Sequence, residues 1–311
     1  MTRTVILPYT AQRTTPQDIT RLRAALAAQA PDVALRSFET TCIPVWLADP
    51  LPPPVVTVTL NNDAAPYLMQ FVPGRQFFAP VLSKAALLDR VIQAGIPVPK
   101  SAALHPVSQP TEADFGPYIT IKTTAPGTTR ATGITVCRTA NFEALRPKIT
   151  QMYQSDIARG FVPLLQQYVS TGPRPCHTRV TTFLGAPIVC FSTTARAPFD
   201  PAALTGLAAG EATSNFREDR TRVLVDDAEM VALATRVAAV FPETSVLSID
   251  MVRCAQTGRI YCLEANQGNL SVLSAPILGV LRQKLGEDAM LAQFGAYDTM
   301  AKRIVEVLET P

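Results

Sequence analysis

Short apolar runs alternate along the chain with stretches of helical period, and that order predicts a mixed α/β protein. Residues 3–9, RTVILPY, form a β-rich run, and 16–30 then place Ile19, Leu22, Ala25 and Leu26 at helical spacing behind a proline start. Two further apolar runs, 33–38 and 54–60, flank the proline-rich stretch 49–54, so residues 1–82 read as a small α/β lobe. A helix over 82–95 follows, stopped by Gly95 and the two prolines of IPVPK. From 118 the pattern turns to strands: 118–124 and 132–138 bracket the turn-rich APGTTRA as a hairpin, a helix covers 141–155, a strand covers 163–169, and 178–185 pairs with 188–194. Residues 196–219 carry no strong period and read as a long, partly structured loop. An amphipathic helix over 227–241 precedes two apolar runs within 248–269, and the segments PILGVLRQKLG and YDTMAKRIVEVLE read as helices.

Composition narrows the class. At 311 residues and 47% hydrophobic, the chain holds more apolar surface than one small core needs, so two or three packed lobes are expected. Its 27 prolines are scattered among apolar segments, which predicts stiff loops and not disorder. A net charge of +3 without a basic block gives no reason to expect a nucleic-acid or acidic-membrane partner. No apolar stretch approaches a membrane span and no secretory signal opens the sequence. Cys42, Cys137, Cys176, Cys190, Cys254 and Cys262 lie far apart without a CxxC pair, which fits a reducing compartment and makes cytoplasmic location the expectation.

Two places carry polar groups that secondary structure does not ask for. In SIDMVRCAQTGRIYCLEANQGN, residues 248–269, Asp250, Glu264 and Asn266 interrupt runs that otherwise read as buried strands. Alternation sets Glu264 and Asn266 on one face, and a turn at Gly258 folds the strand of Asp250 alongside. Two readings stay open: a surface hairpin with its charges in water, or a site of hard oxygen donors suited to Mg²⁺. In TIKTTAPGTTRATGITV, Lys122 ends a strand and a loop with Gly127, Thr128, Thr129, Arg130 and Gly133 follows, the composition of a phosphate cradle and equally of an ordinary turn.

The order of these motifs resembles the ATP-grasp superfamily, in particular the branch of the ribosomal-protein glutamate ligases and glutathione synthetase. The resemblance runs from about residue 80 to 270, through FFAPVLSKAALLDRVIQAGIPVPKS, the hairpin around Lys122, LLQQYVSTG, CHTRVTTFLGAPIVCFSTTAR and the hairpin at 248–269. It implies an N-terminal α/β pre-ATP-grasp lobe over 1–82 and an ATP-grasp domain over 83–311, with a lid subdomain at about 103–165 and a mixed-sheet C-terminal subdomain at about 166–311. It further implies ATP and Mg²⁺ as cofactors. Lys84, Lys122, Thr128, Thr129 and Arg130 would face the phosphates, Gln167, Tyr168 and Val169 the adenine, with Asn215 near the phosphates. Asp250, Glu264 and Asn266 would hold the metal, and Arg179 and Arg196 would orient the substrate carboxylate. His177 stands where relatives carry an acidic residue and has two readings, a proton acceptor or a support for Arg179.

The implied activity is a carboxylate:amine ligase that forms an amide through an acyl phosphate, on an amino acid, peptide or protein, in a possible homo-oligomer. Gln167 replaces the family's usual hinge glutamate, the loop after Lys122 is glycine-poor, and NQGNLS replaces the common ending of the last motif. A phosphotransferase on the same scaffold and a nucleotide-binding protein without turnover are the competing readings. Arg217, Arg220 and Arg222 read as a solvated charged turn, and Tyr168 as a packing ring as readily as an adenine contact.

Overall fold

The computed structural model describes residues 3–61, 70–78, 82–105, 107–125, 133–214, 220–268 and 276–310, with the backbone alone for 276–280. The first lobe is a four-stranded parallel sheet in the order β2-β1-β3-β4, built from β1 (Arg3–Tyr9), β2 (Val33–Glu39), β3 (Val55–Val58) and β4 (Arg75–Phe77). Helix α1 (Pro16–Gln29) connects β1 to β2. Its start is fixed by a capping box: the Thr15 hydroxyl accepts from the Asp18 amide while the Asp18 carboxylate accepts from the Thr15 amide at 2.9 Å. β4 escaped the sequence reading because three residues are too few to show a period.

A second sheet, antiparallel, runs β11-β7-β6-β8-β5: β5 (Ser101–Ala103), β6 (Tyr118–Lys122), β7 (Ile134–Arg138), β8 (Leu164–Gln167) and β11 (Ala208–Ala209). Helix α2 (Lys84–Gln93) precedes it in the chain; α3 (Glu112–Phe115) and α4 (Phe142–Ala158) cover one of its faces, with Phe115, Phe142, Ile149 and Tyr153 packed on Ile119, Ile121 and Leu165.

The third sheet, also antiparallel, runs β12-β10-β9-β13-β14: β9 (Cys176–Phe183), β10 (Ala186–Ala195), β12 (Arg220–Leu224), β13 (Val246–Arg253) and β14 (Ile260–Gln267). Its two faces differ sharply. Val180, Leu247, Ile249, Met251 and Ala265 point into a core with α2 and with α5 (Ala228–Ala239), where Met230, Leu233, Ala234 and Val237 are buried. The opposite face is polar over most of its length and turns apolar near Phe183, Val189 and Phe191, which join the core of the first lobe. After α6 (Pro276–Leu285) and α7 (Glu287–Ala292), α8 (Ala296–Glu309) seats Met300, Ala301, Ile304 and Leu308 in that shared core. Tyr297 Oη donates to Asp18 at 2.6 Å and Arg303 Nε to the Leu184 carbonyl at 2.9 Å, so α8 bolts the first lobe to the third sheet.

One sequence expectation is corrected by this topology. Arg220 and Arg222 are not in a charged turn but on β12, where alternation turns both toward the polar face of the third sheet.

Candidate functional site

The polar face of the third sheet and the strands of the second enclose a cavity of about 440 Å³. Strand pairing puts its polar residues in rows. Arg179 on β9 lies opposite Asp250 on β13, and Asp250 opposite Glu264 on β14. Asn266 follows two residues later on the face of Glu264. This row exists because of a β-bulge. Nearer the turn, Met251 pairs with Cys262; beyond the bulge, Asp250 pairs with Glu264, so Leu263 is the extra residue. Without it Asp250 would oppose Leu263, and Glu264 would point into the apolar core.

Asp250 is 3% exposed and faces the cavity, which rules out the surface-hairpin reading. Arg179 grips it through two parallel hydrogen bonds, Nε to Oδ1 and Nη2 to Oδ2, both 2.6 Å. Burial alone would raise the Asp250 pKa, but the adjacent guanidinium outweighs it and holds the carboxyl down at about 2. Burial likewise works against the charge of Arg179, and Asp250 overrides it, keeping its pKa above the ordinary value. Glu264 Oε1 accepts from the Asn266 amide at 3.0 Å, and its Oε2 lies 3.9 Å from Lys84 Nζ. Lys84 is the first residue of α2, whose N-cap Ser83 accepts from the Ala86 amide.

Lys122, at the end of β6, reaches the same cavity from the second sheet and donates to Gln166 Oε1 at 2.6 Å. Burial lowers its pKa, while Glu264 and Asp250 pull the other way. Gln167, Tyr168 and Val169 line the cavity beside it. The N–H groups of Gln167 and Tyr168 are spent on the carbonyls of Lys100 and Tyr118, at 2.8 and 3.1 Å. The Tyr168 ring packs edge-on against Tyr118 and Phe199.

His177 is buried two residues before Arg179. Its Nδ1 hydrogen-bonds Ser214 Oγ at 2.5 Å, and its Nε2 lies 3.9 Å from Asp250 Oδ1. Burial, reinforced by Arg179, Arg222 and Arg220 and opposed by Asp250, lowers its pKa to about 4, so the ring is neutral at pH 7. Arg222 pairs with Thr193, which pairs with His177, so both β12 arginines share the cavity face. From β12 to β14 is four strand spacings, roughly 19 Å: Arg220 and Arg222 stand at one end, Glu264 with Lys84 at the other.

The structure therefore brings together Lys84, Lys122, Gln167, Tyr168, Val169, His177, Arg179, Asp250, Glu264 and Asn266. Arg196 is not among them. β10 ends at Ala195, and Arg196 sits exposed in the bend beyond it, outside the cavity. Thr128, Thr129, Arg130 and Asn215 lie outside the described residues. The sequence reading missed Gln166, 1% exposed and bonded to Lys122, and misplaced Arg220 and Arg222. The alternation RTRVL, with arginines two apart, was the available signal for the latter pair.

The donor set fits a hard divalent cation. Asp250 and Glu264 supply carboxylate oxygens and Asn266 an amide, and Arg179 uses only part of the lone-pair capacity of Asp250. Among the described residues no group of three or more His, Cys, Asp or Glu side chains that could hold a metal ion is present, so any cation here would rest on two carboxylates and an amide. Nor is any described helix long and apolar enough to cross a membrane.

No known family profile matches the sequence, and no curated protein matches it. Solved structures match over nearly the whole chain. PsnB, an ATP-grasp ligase captured with a minimal precursor, Mg and ADP, is 13% identical with a TM-score of 0.57, covering 97% of this chain and 98% of its own. The D-cycloserine synthetase DcsG is 18% identical with a TM-score of 0.54, covering 98% and 99%. D-alanine–D-alanine ligase from Bacillus anthracis is 11% identical with a TM-score of 0.52, covering 99% and 97%. Identity this low speaks for architecture alone, and the architecture is the one the motif order implied: the chain has the ATP-grasp fold.

Proposed function

We propose that the protein is an ATP-dependent ligase that activates a carboxylate as an acyl phosphate and joins it to an amine, releasing ADP and phosphate. The observation that carries this reading is the Arg179-Asp250-Glu264 row, with Asn266, facing Lys84 and Lys122 across one cavity. A carboxylate and a triphosphate repel each other, so their reaction requires cations arranged around both before the chemistry begins. Lys84 and Lys122 flank the end where Glu264 lies and would neutralise the phosphates. Asp250, Glu264 and Asn266 would hold Mg²⁺, which when bound supplies charge neutralisation at the phosphate oxygens. Arg179 is committed to Asp250, keeping that carboxylate ionised and aimed. The arginines that would meet the acceptor carboxylate are then Arg220 and Arg222, in place of Arg179 and Arg196, to which the motif resemblance gave that role.

Adenine would sit against Gln167, Tyr168 and Val169. Because two hinge N–H groups are already used within the sheet, it would be read by other groups of that segment. A neutral His177 with a pKa near 4 is a poor acceptor for the proton of an alkylammonium, and its bond to Ser214 favours the supporting role. Residues 103–165 act as the lid in this reading, shielding the acyl phosphate from water within an ATP-grasp domain over 83–311. Capture of PsnB with a precursor peptide and AMPPNP supports a peptide substrate here.

The test is ADP and phosphate release measured with pooled amino acids and peptides. Release that requires both a carboxylate and an amine supports the ligase. A stable phosphorylated product without an amine requirement would instead make the protein a phosphotransferase, and thermal stabilisation by ATP with no turnover would make it a nucleotide-binding partner.

A further inference from the structure

Strand β5 is three residues long, yet it holds a chain of hydrogen bonds that ends on Lys122. Ser101 lies directly opposite Gln166, and Lys122, paired with Leu164, is the diagonal neighbour of Gln166 on the same face. The Ser101 hydroxyl donates to the Pro99 carbonyl at 2.8 Å and accepts from Gln166 Nε2 at 3.0 Å; Gln166 Oε1 accepts from Lys122 Nζ at 2.6 Å.

The direction of this chain is fixed by donor counting. A hydroxyl has one proton, and that of Ser101 is spent on Pro99, so toward Gln166 it can only accept. An ammonium can only donate. The amide of Gln166 therefore has one orientation that satisfies both ends, with its oxygen toward Lys122. The base of the relay is itself pinned to both sheets. The Pro97 carbonyl accepts from the Cys262 amide on β14 at 2.9 Å, and the Lys100 carbonyl accepts from the Gln167 amide on β8 at 2.8 Å. β14 is the strand that carries Glu264.

We propose that Gln166 is a positioning residue for nucleotide phosphates: through Ser101 and Pro99 it sets the ammonium of Lys122, which belongs to the second sheet, against Glu264, which belongs to the third. This rests on the cavity being a nucleotide site. A long lysine side chain without such an acceptor samples many rotamers, and restricting them before the ligand arrives lowers the cost of binding. The desolvation that disfavours the charge of Lys122 makes the acceptor more consequential.

The experiment is equilibrium titration of the full chain with ATP and, separately, with adenosine, for the wild type and Gln166→Leu, Ser101→Ala, Lys122→Met and Gln166→Leu/Lys122→Met. Circular dichroism melting curves verify that each variant is folded. Loss of one hydrogen bond to a charged group predicts an ATP Kd raised roughly tenfold or more by Gln166→Leu, and by a smaller factor for Ser101→Ala. Adenosine affinity stays within about twofold, and the double variant binds ATP as Lys122→Met alone does, because the two residues act as one unit. Equal loss for adenosine and ATP would make Gln166 a wall of the base pocket and overturn the proposal, as would additive losses in the double variant. If the wild type binds neither ligand, the nucleotide reading falls and the relay falls with it, a result separable from the others because no substitution is involved. Should Gln166→Leu not fold, Ser101→Ala at the edge strand carries the same ATP-against-adenosine comparison.

Discussion

Asp250 is the residue on which the site turns, because it is buried, ionised and gripped at 2.6 Å by one main partner, Arg179, with only a longer 3.5 Å bond from the Asn266 amide beside it. Arg179→Ala removes that partner and leaves a carboxylate stranded in the protein interior, which should cost about 3–5 kcal/mol of unfolding free energy. Chemical denaturation of the variant measures it, and a midpoint unchanged from wild type would mean that the pair is not formed. His177 gives a pH signature. Its folded pKa, about 4, lies below the ordinary value of 6.5, so between these the unfolded chain binds a proton that the folded chain does not. Stability conferred by the buried neutral ring is complete above about pH 6.5 and is lost as pH falls through that window, in total on the order of 3 kcal/mol. The Asp250 contribution disappears only at lower pH, between its ordinary value of 3.8 and about 2, so the two effects separate. Melting temperatures of metal-free wild type and His177→Asn from pH 7 to 4.5 should converge as the pH falls. Parallel curves would show that the imidazole is not desolvated. The row along the cavity was legible in part: Asp250, Glu264 and Asn266 stood out as oxygen donors in apolar runs, and all three line the cavity. Arg196 was singled out by the resemblance of CHTRVTTFLGAPIVCFSTTAR to a strand pair with two arginines, and a motif match does not record that β10 stops at Ala195, one residue short of it.

At the scale of elements, the hairpin β13–β14 shows what a sequence pattern holds and what it withholds. Alternation gave the shared face of Glu264 and Asn266. The alignment of Asp250 with Glu264 depends on Leu263 being bulged out, and no residue pattern in YCLEAN announces that. β12 was hidden differently, by charged residues that made a strand resemble a solvent-facing turn. Its placement carries a prediction: Arg222→Ala should raise the KM for the carboxylate acceptor about tenfold while the KM for ATP changes by less than about twofold, read from steady-state kinetics. Equal changes in both would remove Arg222 from the acceptor end. The second sheet has a sharp steric point at Gly133, where φ is +75° and an added Cβ would lie 2.7 Å from Thr123 Cγ2. Thr123 also hydrogen-bonds Asp156 on α4, and the Gly133 carbonyl accepts from the Thr123 amide at 3.0 Å, so the hairpin stem has little room to shift. Gly133→Ala should therefore destabilise the protein by at least about 1 kcal/mol, as a lowered melting temperature.

Across the whole molecule, the first lobe and the third sheet share one core through α8, so Ile304→Ala, at a fully buried position, should cost about 2–5 kcal/mol. Unfolding should still appear as one transition where β1, α1, α8 and Phe183 lose their packing together. The succession of β and α segments made the α/β class legible, and the ordered motifs pointed to ATP-grasp; the way α8 closes back on the first lobe depends on contacts such as Tyr297 with Asp18, 279 residues apart, that no local pattern records. The cavity itself belongs to this scale, since Lys84, Lys122, Asp250 and Glu264 come from four elements. Two carboxylates there face five basic side chains, Lys84, Lys122, Arg179, Arg220 and Arg222, and that balance predicts weak Mg²⁺ binding until phosphates arrive with it. Calorimetric titration of ATP with and without Mg²⁺, for the wild type and Glu264→Gln, tests this most directly. Chelating Mg²⁺ should weaken ATP binding to the wild type by roughly tenfold or more, and Glu264→Gln should lose most of that dependence; an ATP affinity indifferent to Mg²⁺, or unchanged by Glu264→Gln, would contradict a metal-bridged phosphate site.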